Sequence, residues 1–406
     1  MDIEIKMPEE AERALMILKS FGHEAYVVGG CVRDAILGSV PSDWDITTSA
    51  LPDEILSCFI GYRTIDTGLK HGTVTVVINK MNIEITTYRI DGKYSDNRRP
   101  DEVTFTDKVS MDLMRRDFTM NSLAYNKEGI VDLFGGIEDI KNKTVKCVGV
   151  PDERFQEDGL RILRAMRFAA VLGFAVEEKT RKSIHKNKSL LQNISYERIN
   201  SEFNKTIRGI NCREILSEYK DVVEVFIPEI SELMDEMWID RLNSASLVDN
   251  IILKLSLLFY GMDAEQILRR MKSDNDTIKV VKLLTLNMNG EIDPEHKSVK
   301  RWLNKLGLEN LKLLIHLKTA SLKYSEAEIK DLRKAEALMD TIVKENQCYS
   351  LSTLAVKGTD LVAAGIPKGP RVGGILNEML KKVMDDELEN KKEDLLDYVI
   401  KIKNKN

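Results

Sequence analysis

From Tyr26 to about Cys147 the apolar positions fall in short β-branched runs, AYVVGG, TVTVVI and IEITTYR, separated by Gly, Asp and Asn. Runs of this length bounded by turn formers predict strands, so the stretch reads as a β-rich α/β module. The polar residues from Asn79 to Asn82 lie between a pair of alternating runs and predict a hairpin. Beyond Pro151 the pattern changes: Leu, Ile, Lys and Glu recur at helical spacing, with few strand candidates up to Asn406. The expected class is therefore α+β, a small mixed β-sheet head followed by an all-α remainder. Breaks in the pattern fall at a Gly/Pro/Asp cluster over 148–154 and again over 207–212. There is no repeat at a fixed period, and no low-complexity tract beyond the end KIKNKN.

Composition narrows the class without naming a partner. At 406 residues the chain exceeds one ordinary domain, and 43% hydrophobic with 31% charged residues suits a soluble globular protein. No apolar run approaches the ~20 residues of a membrane span. The opening MDIEIKMPEEAERAL alternates charge and lacks a secretory pattern. Cys31, Cys58, Cys147, Cys212 and Cys348 lie far apart with no CxxC pair, which suggests neither a disulfide framework nor a zinc site. A cytoplasmic protein without membrane association is the expectation. The net charge of −5 weighs only slightly against nucleic acid, because binding depends on a local basic stripe.

Chemistry enters with YVVGGCVRDAILG, where Gly29 and Gly30 stand between an apolar strand and a helical pattern. Backbone N–H groups at such a turn can cradle a phosphate, and Arg33 can add a charged contact; a simple chain reversal would look the same. Asp43-Trp44-Asp45-Ile46 follows. On a strand, residues i and i+2 share a face, so both carboxylates point one way and Trp44 and Ile46 the other. Hard oxygen donors of this kind suit Mg²⁺, although a solvated acidic turn has the same text. Glu84 interrupts the apolar strand Ile83-Glu84-Ile85. Beside the Asp43/Asp45 strand it completes the acids of a two-metal site; on a half-exposed strand it is an ordinary outward residue.

The ordered segments GGCVRD…DWDI, HGTVTVVI…IEITTYR, DGKYSDNRRPDEVTF, RRDFTMNSLAYN, EDGLRILRAMRF and YERINSEFNK resemble bacterial class II CCA-adding enzymes, of the tRNA nucleotidyltransferase and poly(A) polymerase family. The resemblance is dense from about Tyr26 to Lys205 and looser beyond. It implies an elongated, seahorse-like protein: a catalytic head at 1–147, a nucleotide-selecting helical neck at 148–210, a helical body at 211–320 and a tRNA-binding tail at 321–406. It further implies that Gly29, Gly30 and Arg33 hold a triphosphate and that Asp43 and Asp45 ligate two Mg²⁺ ions, with Glu84 as the third acid. Arg116, Asp117 and Asn121 would help hold the nucleotide, the last two near the ribose. A plain turn with Asp117 as a cap is the alternative.

The segment from Glu157 to Arg167 carries its own argument. At 100° per residue Asp158, Arg161 and Arg164 fall within one arc, opposite Ile162, Leu163, Met166 and Ala170. A carboxylate accepts from an exocyclic amine and a guanidinium donates to a ring nitrogen or carbonyl, so an Asp158/Arg161 pair would choose C and A without a nucleic-acid template. That is also the role the resemblance implies, with Arg164 and Arg167 beside them. Without it the two are an i,i+3 ion pair on a solvated face.

The implied reaction is attack of the terminal tRNA hydroxyl on the α-phosphate of CTP or ATP, with Mg²⁺ at the site and pyrophosphate released. No Ser/His or Cys/His nucleophilic pair is evident, and His23, His71, His185, His296 and His316 are dispersed. CC-adding members of the family lack a loop in this region, so by the resemblance the stretch from Asp91 to Pro100 implies competence to add A; an ordinary loop would have the same text. The absence of histidine between His185 and His296 predicts no phosphohydrolase activity in the body. Near the end, Gly365, Lys368, Gly369 and Arg371 precede a helix; they form either a tRNA-backbone grip or an ordinary loop. Competing readings are an A-adding or poly(A)-adding enzyme, a non-catalytic RNA-binding scaffold, against which intact Asp43, Asp45 and Glu84 argue, and nucleotidylation of a small molecule.

Overall fold

The computed structural model describes residues 4–92 and 103–403. The proposed A-competence loop therefore lies, from residue 93 to 100, outside the described residues. The chain divides into two compact units, Met1–Met234 and Asp235–Asn406.

In the first unit the strands are β1 (Ala25–Val28), β2 (Asp45–Thr48), β3 (Arg63–Ile65), β4 (Thr73–Ile78), β5 (Met81–Thr87), β6 (Arg89–Asp91), β7 (Val103–Phe105), β8 (Leu123–Asn126) and β9 (Gly129–Asp132). Seven of them form one sheet in the order β3-β4-β5-β2-β1-β8-β9, while β6 and β7 pair separately. Only the β2–β5 pairing in this sheet is parallel; its other neighbours run antiparallel. The expected hairpin joins β4 to β5 through Asn79 and Lys80, whose φ values of 47° and 71° are those of a two-residue turn that follows the twist of the strands.

The sheet has two unlike faces. On one, Val27, Ile46, Ile83, Ile85, Val74 and Val76 are all buried, and helices α1 (Glu9–Ser20) and α3 (Pro52–Cys58) pack there. Burial alternates residue by residue along β4, the period-2 pattern that made the strand legible. On the other face, Tyr26, Val28 and Ala124 form a smaller core with Tyr88 and Leu113. Leu113 comes from a short helix, and Thr47 lies across from Tyr26 on this same side. The rest of that face, toward β2 and β5, carries Asp45 and Glu84.

Between the strands lie α2 (Gly30–Ile36), α4 (Val109–Met114) and α5 (Gly136–Lys141). A parallel pair, β10 (Thr144–Val145) and β11 (Ala175–Val176), then ties the sheet-bearing part to helices that follow; β11 is a strand inside text that reads as all-α. The helices are α6 (Pro151–Glu157), α7 (Leu160–Leu172), α8 (Glu178–Asn187) and α9 (Tyr196–Thr206). In the second unit the described elements are helical, from Asp235–Ser246 to Lys392–Lys403. Its C-terminal core gathers Leu361, Ile366, Ile375, Met379, Leu380, Leu395 and Val399.

Candidate active site

Asp43 and Asp45 are exposed, whereas Trp44 and Ile46 are buried; β2 starts at Asp45, so Asp43 and Trp44 stand just before the strand expected to carry all four. The partner strand then decides the site. β2 and β5 pair with Asp45 directly opposite Glu84, and Glu84 is also exposed. Although Asp45 stays open to solvent, exclusion of water by the surrounding protein and the like charges of Glu84 and Asp43 push its carboxyl up to about 6, against the pull of Arg116. Among the described residues no three His, Cys, Asp or Glu side chains converge into a group that could hold a metal ion by themselves.

Gly29 has φ 83°, a conformation costly for any residue with a Cβ. A Cβ there would also lie 3.0 Å from Arg116 Nη1, so the glycine lets that guanidinium approach the turn. The following helix α2 has seven residues. A helix this short adds little dipole, and the anion-binding capacity rests mainly on guanidinium groups.

Arg33 begins a chain of bonds that runs from this turn to α7. Its Nη1 donates to Asn121 Oδ1 at 2.6 Å, and Asn121 Nδ2 donates to Asp117 Oδ1 at 3.0 Å. Asp117 Oδ2 accepts from Arg164 Nε at 2.7 Å. Burial alone would raise the Asp117 carboxyl, but Arg164, the Asn121 amide and Arg161 outweigh it and hold the group at about 2. Asp117 Oδ1 also accepts from the Phe118 N–H at 2.9 Å, so it caps its turn as well. Phe168 carries three guanidinium groups against its ring, from Arg33, Arg164 and Arg167, at 4.9, 5.4 and 4.0 Å from the ring centre. Arg167 is tied to Glu202 at 3.2 Å.

The arc expected to carry Asp158, Arg161 and Arg164 on one continuous helix is corrected. The helix breaks at Asp158 and Gly159: Asp158 has extended backbone (φ −140°, ψ 105°), and α7 starts at Leu160. The Arg161 N–H donates to the Asp158 carbonyl at 2.9 Å, but the two side chains bond to other partners. Asp158 Oδ1 accepts from the Leu160 N–H at 3.0 Å and Oδ2 from Arg198 Nη2 at 2.9 Å. Arg161, buried rather than solvated, donates to Glu157 Oε2 at 2.6 Å and to the Arg115 carbonyl at 2.9 Å. The opposite side of α7 is as expected, with Ile162, Leu163, Met166 and Ala170 all buried.

Several residues that hold this arrangement went unassigned from sequence. Arg198 lies in the quoted segment YERINSEFNK, and Glu157 stands four residues before Arg161, a spacing that could have suggested the pair. Asp112 is buried and binds Arg115 and Arg116, at i,i+3 and i,i+4. Its bond to Thr47 spans 65 residues and has no signal in the text. In the second unit, Lys368 and Arg371 are exposed around the start of the helix Pro370–Met384, with Pro370 at its first turn.

Residues 25–146 match the family model described as the Poly A polymerase head domain, and residues 247–399 match that for tRNA nucleotidyltransferase domain 2. The sheet with its acids thus falls in the nucleotidyltransferase class. The CCA-adding enzyme of Lactobacillus delbrueckii subsp. bulgaricus is 34% identical over 404 residues, covering 97% of this chain and 99% of the relative. That of Geobacillus sp. (strain WCH70) is 36% identical over 405 residues, covering 97% and 98%. The crystal structure of the Bacillus stearothermophilus CCA-adding enzyme in complex with CTP matches with a TM-score of 0.80 at 30% identity, over 98% of this chain and 99% of that one. Similarity sustained over nearly the whole of both chains makes this chain a member of the CCA-adding enzyme family.

Proposed function

We propose that this chain adds C, C and A in turn to the 3′ end of tRNA, drawing on CTP and ATP and releasing pyrophosphate. The observation that carries the reading is the register of Asp45 against Glu84 on paired strands, with Asp43 two residues before the start of β2. The exposed carboxylates of Asp45 and Glu84 on one sheet face and of Asp43 just before it repel one another, and their hard oxygens fit a divalent cation. That they do not close a cage fits Mg²⁺, which characteristically takes one or two carboxylates and completes its shell with water and substrate phosphate oxygens. Asp43 and Asp45 would hold the ions, which when bound would lower the pKa of the attacking hydroxyl and offset charge on the departing pyrophosphate.

The protein's own contribution is positioning. Arg33 and Arg116 offer charged donors to the triphosphate beside the Gly29–Gly30 turn. Asp117 and Asn121 bind the ribose while braced by Arg164. Asp158 and Arg161 read the base edge. A carboxylate can accept about four hydrogen bonds, so Asp158 keeps capacity for an exocyclic amine beyond the Arg198 and Leu160 bonds. Because Arg198 and Glu157 fix the two readers independently, their spacing is set by the protein before a nucleotide arrives. Phe168 and Glu202 orient Arg167.

In this reading the chain comprises the head at 1–147, the neck at 148–210, the body at 211–320 and the tail at 321–406, where Lys368 and Arg371 contact tRNA phosphates. The setting is the cytoplasm: no described helix is long and apolar enough to cross a membrane, and the five cysteines are buried and form no disulfide, which supports a reducing compartment.

The test is incubation with Mg²⁺ and tRNA lacking its last three nucleotides, supplied with CTP alone, ATP alone or both, followed by sequencing. CC from CTP alone and CCA from both is the expected result. ATP added only to ends already carrying CC would make the chain an A-adding enzyme, and no addition under any condition would refute the reading.

A further inference from the structure

We infer that Asp112 is a positioning residue for this reaction: one buried carboxylate that fixes the acidic strand β2, the arginine at the Gly29 turn and the anchor of Arg161 relative to one another. The inference rests on the nucleotide-site reading given above.

Asp112 lies on α4 and is fully buried. Its Oδ2 accepts from Thr47 Oγ1 at 3.2 Å and from Arg116 Nη2 at 3.1 Å. Its Oδ1 accepts from Arg115 Nε at 3.0 Å and Nη2 at 2.7 Å. Each contact leads to a different region of the site. Thr47 follows Asp45 by two residues and shares its face of β2. Arg116 reaches across the Gly29 turn. The Arg115 carbonyl accepts from Arg161 Nη2. These four bonds use the full accepting capacity of a carboxylate.

Stability alone gives a poor reason for such a group. A buried ion pair or triad can often be replaced by apolar residues without loss, because desolvation offsets the Coulomb attraction. What the carboxylate supplies, and an apolar cluster does not, is direction. The two-pronged contact sets the plane of the Arg115 guanidinium, and the second arginine and the threonine are aimed by the same two oxygens. A small error in that alignment is carried to the acids, the phosphate contact and the base reader together.

The experiment measures kcat and KM for CTP, and preference for CTP over UTP, on tRNA lacking its last three nucleotides. Asp112→Asn keeps size and one accepting oxygen but cannot hold two guanidinium groups. The expected result, with rates referred to the folded fraction, is a rise of about tenfold in KM and a fall of about tenfold in preference, beside a lower melting temperature because two guanidinium groups lose their buried counter-charge. A fall in kcat with KM and preference unchanged is what a lower folded fraction gives, and would overturn the inference. If Asp112→Asn does not fold, Thr47→Val decides: it removes only the hydroxyl link to β2, and unchanged KM and preference would overturn the inference where a several-fold rise in KM supports it. Arg116→Ala and Arg161→Ala keep the underlying reading separate. If both leave KM and preference as in the parent, the nucleotide-site reading itself fails; if they alter them and Asp112→Asn does not, only the role of Asp112 fails.

Discussion

Asp45 and Glu84 stand side by side as register partners on the parallel strands β2 and β5. Like charges placed directly across two strands destabilise a sheet, and Asp43 adds a third charge that Asp45 feels. The fold therefore carries a local conflict that a bound cation, as proposed above, would resolve. Asp45→Asn is expected to lower kcat about 1000-fold, equivalent to about 4 kcal/mol, with an unchanged circular-dichroism spectrum. Activity within tenfold of the parent would remove Asp45 from the metal site.

The same conflict is readable without turnover. In metal-free buffer Glu84→Gln relieves a cross-strand repulsion of up to about 1 kcal/mol, which in a unit of this size corresponds to about 2–4 °C in melting temperature. Added Mg²⁺ should then stabilise the parent more than it stabilises Asp45→Asn. Equal metal-induced shifts in the two proteins would count against ion binding at these acids.

Asp117 predicts the behaviour in acid. Its carboxyl sits at about 2 in the folded protein against an ordinary 3.8. A depressed acid stabilises the fold fully above its ordinary value, and that contribution is lost as pH falls from about 4 through about 2. Urea unfolding of the parent and of Asp117→Asn across this window should show a larger step in the parent, the remainder coming from other depressed acids such as Asp112 and Asp221. Arg164→Ala leaves the buried carboxylate without its main partner and should cost about 3 kcal/mol at pH 7; a cost below about 0.5 kcal/mol would mean that the pair is exposed.

How far these features could be read in advance depended on distance along the chain. The hairpin at Asn79 and Lys80 was legible because alternation and turn chemistry are both local, whereas the strand read through Asp43 starts only at Asp45, a boundary the alternation does not mark. The break before α7 was not, since helical periodicity runs straight through Asp158 and Gly159 and nothing local says that Asp158 caps the next helix. Nor could spacing reveal that Arg161 turns toward Glu157 and the Arg115 carbonyl while Asp158 turns toward Arg198. β10 and β11, two residues each, are too short to carry a pattern and exist because the fold brings them together.

Loosening Asp158 should affect fidelity more than rate. Arg198→Met removes the donor to Asp158 Oδ2 while keeping the bulk of the stem. Since a well-placed pair of contacts to a base edge is worth about 1–3 kcal/mol of discrimination, the CTP-over-UTP preference should fall by about tenfold. Single-turnover incorporation of each nucleotide provides the measurement. A uniform slowing of all nucleotides would instead assign Arg198 to stability.

Gly29→Ala tests the turn. It forces a Cβ into a left-handed conformation, at about 1–2 kcal/mol, and against Arg116 Nη1. KM for CTP and ATP should rise together if, as proposed, the displaced guanidinium serves the triphosphate rather than the base. A rise for one nucleotide alone would place Arg116 at the base.

The brackets that hold Asp158 and Arg161, Arg198 on one side and Glu157 on the other, have a consequence for inheritance. When a terminal sequence is copied, an error in the template harms one gene's product. On the reading proposed above the instruction would instead be kept in the spacing of a few side chains, so a single altered codon would change every ending that this enzyme writes.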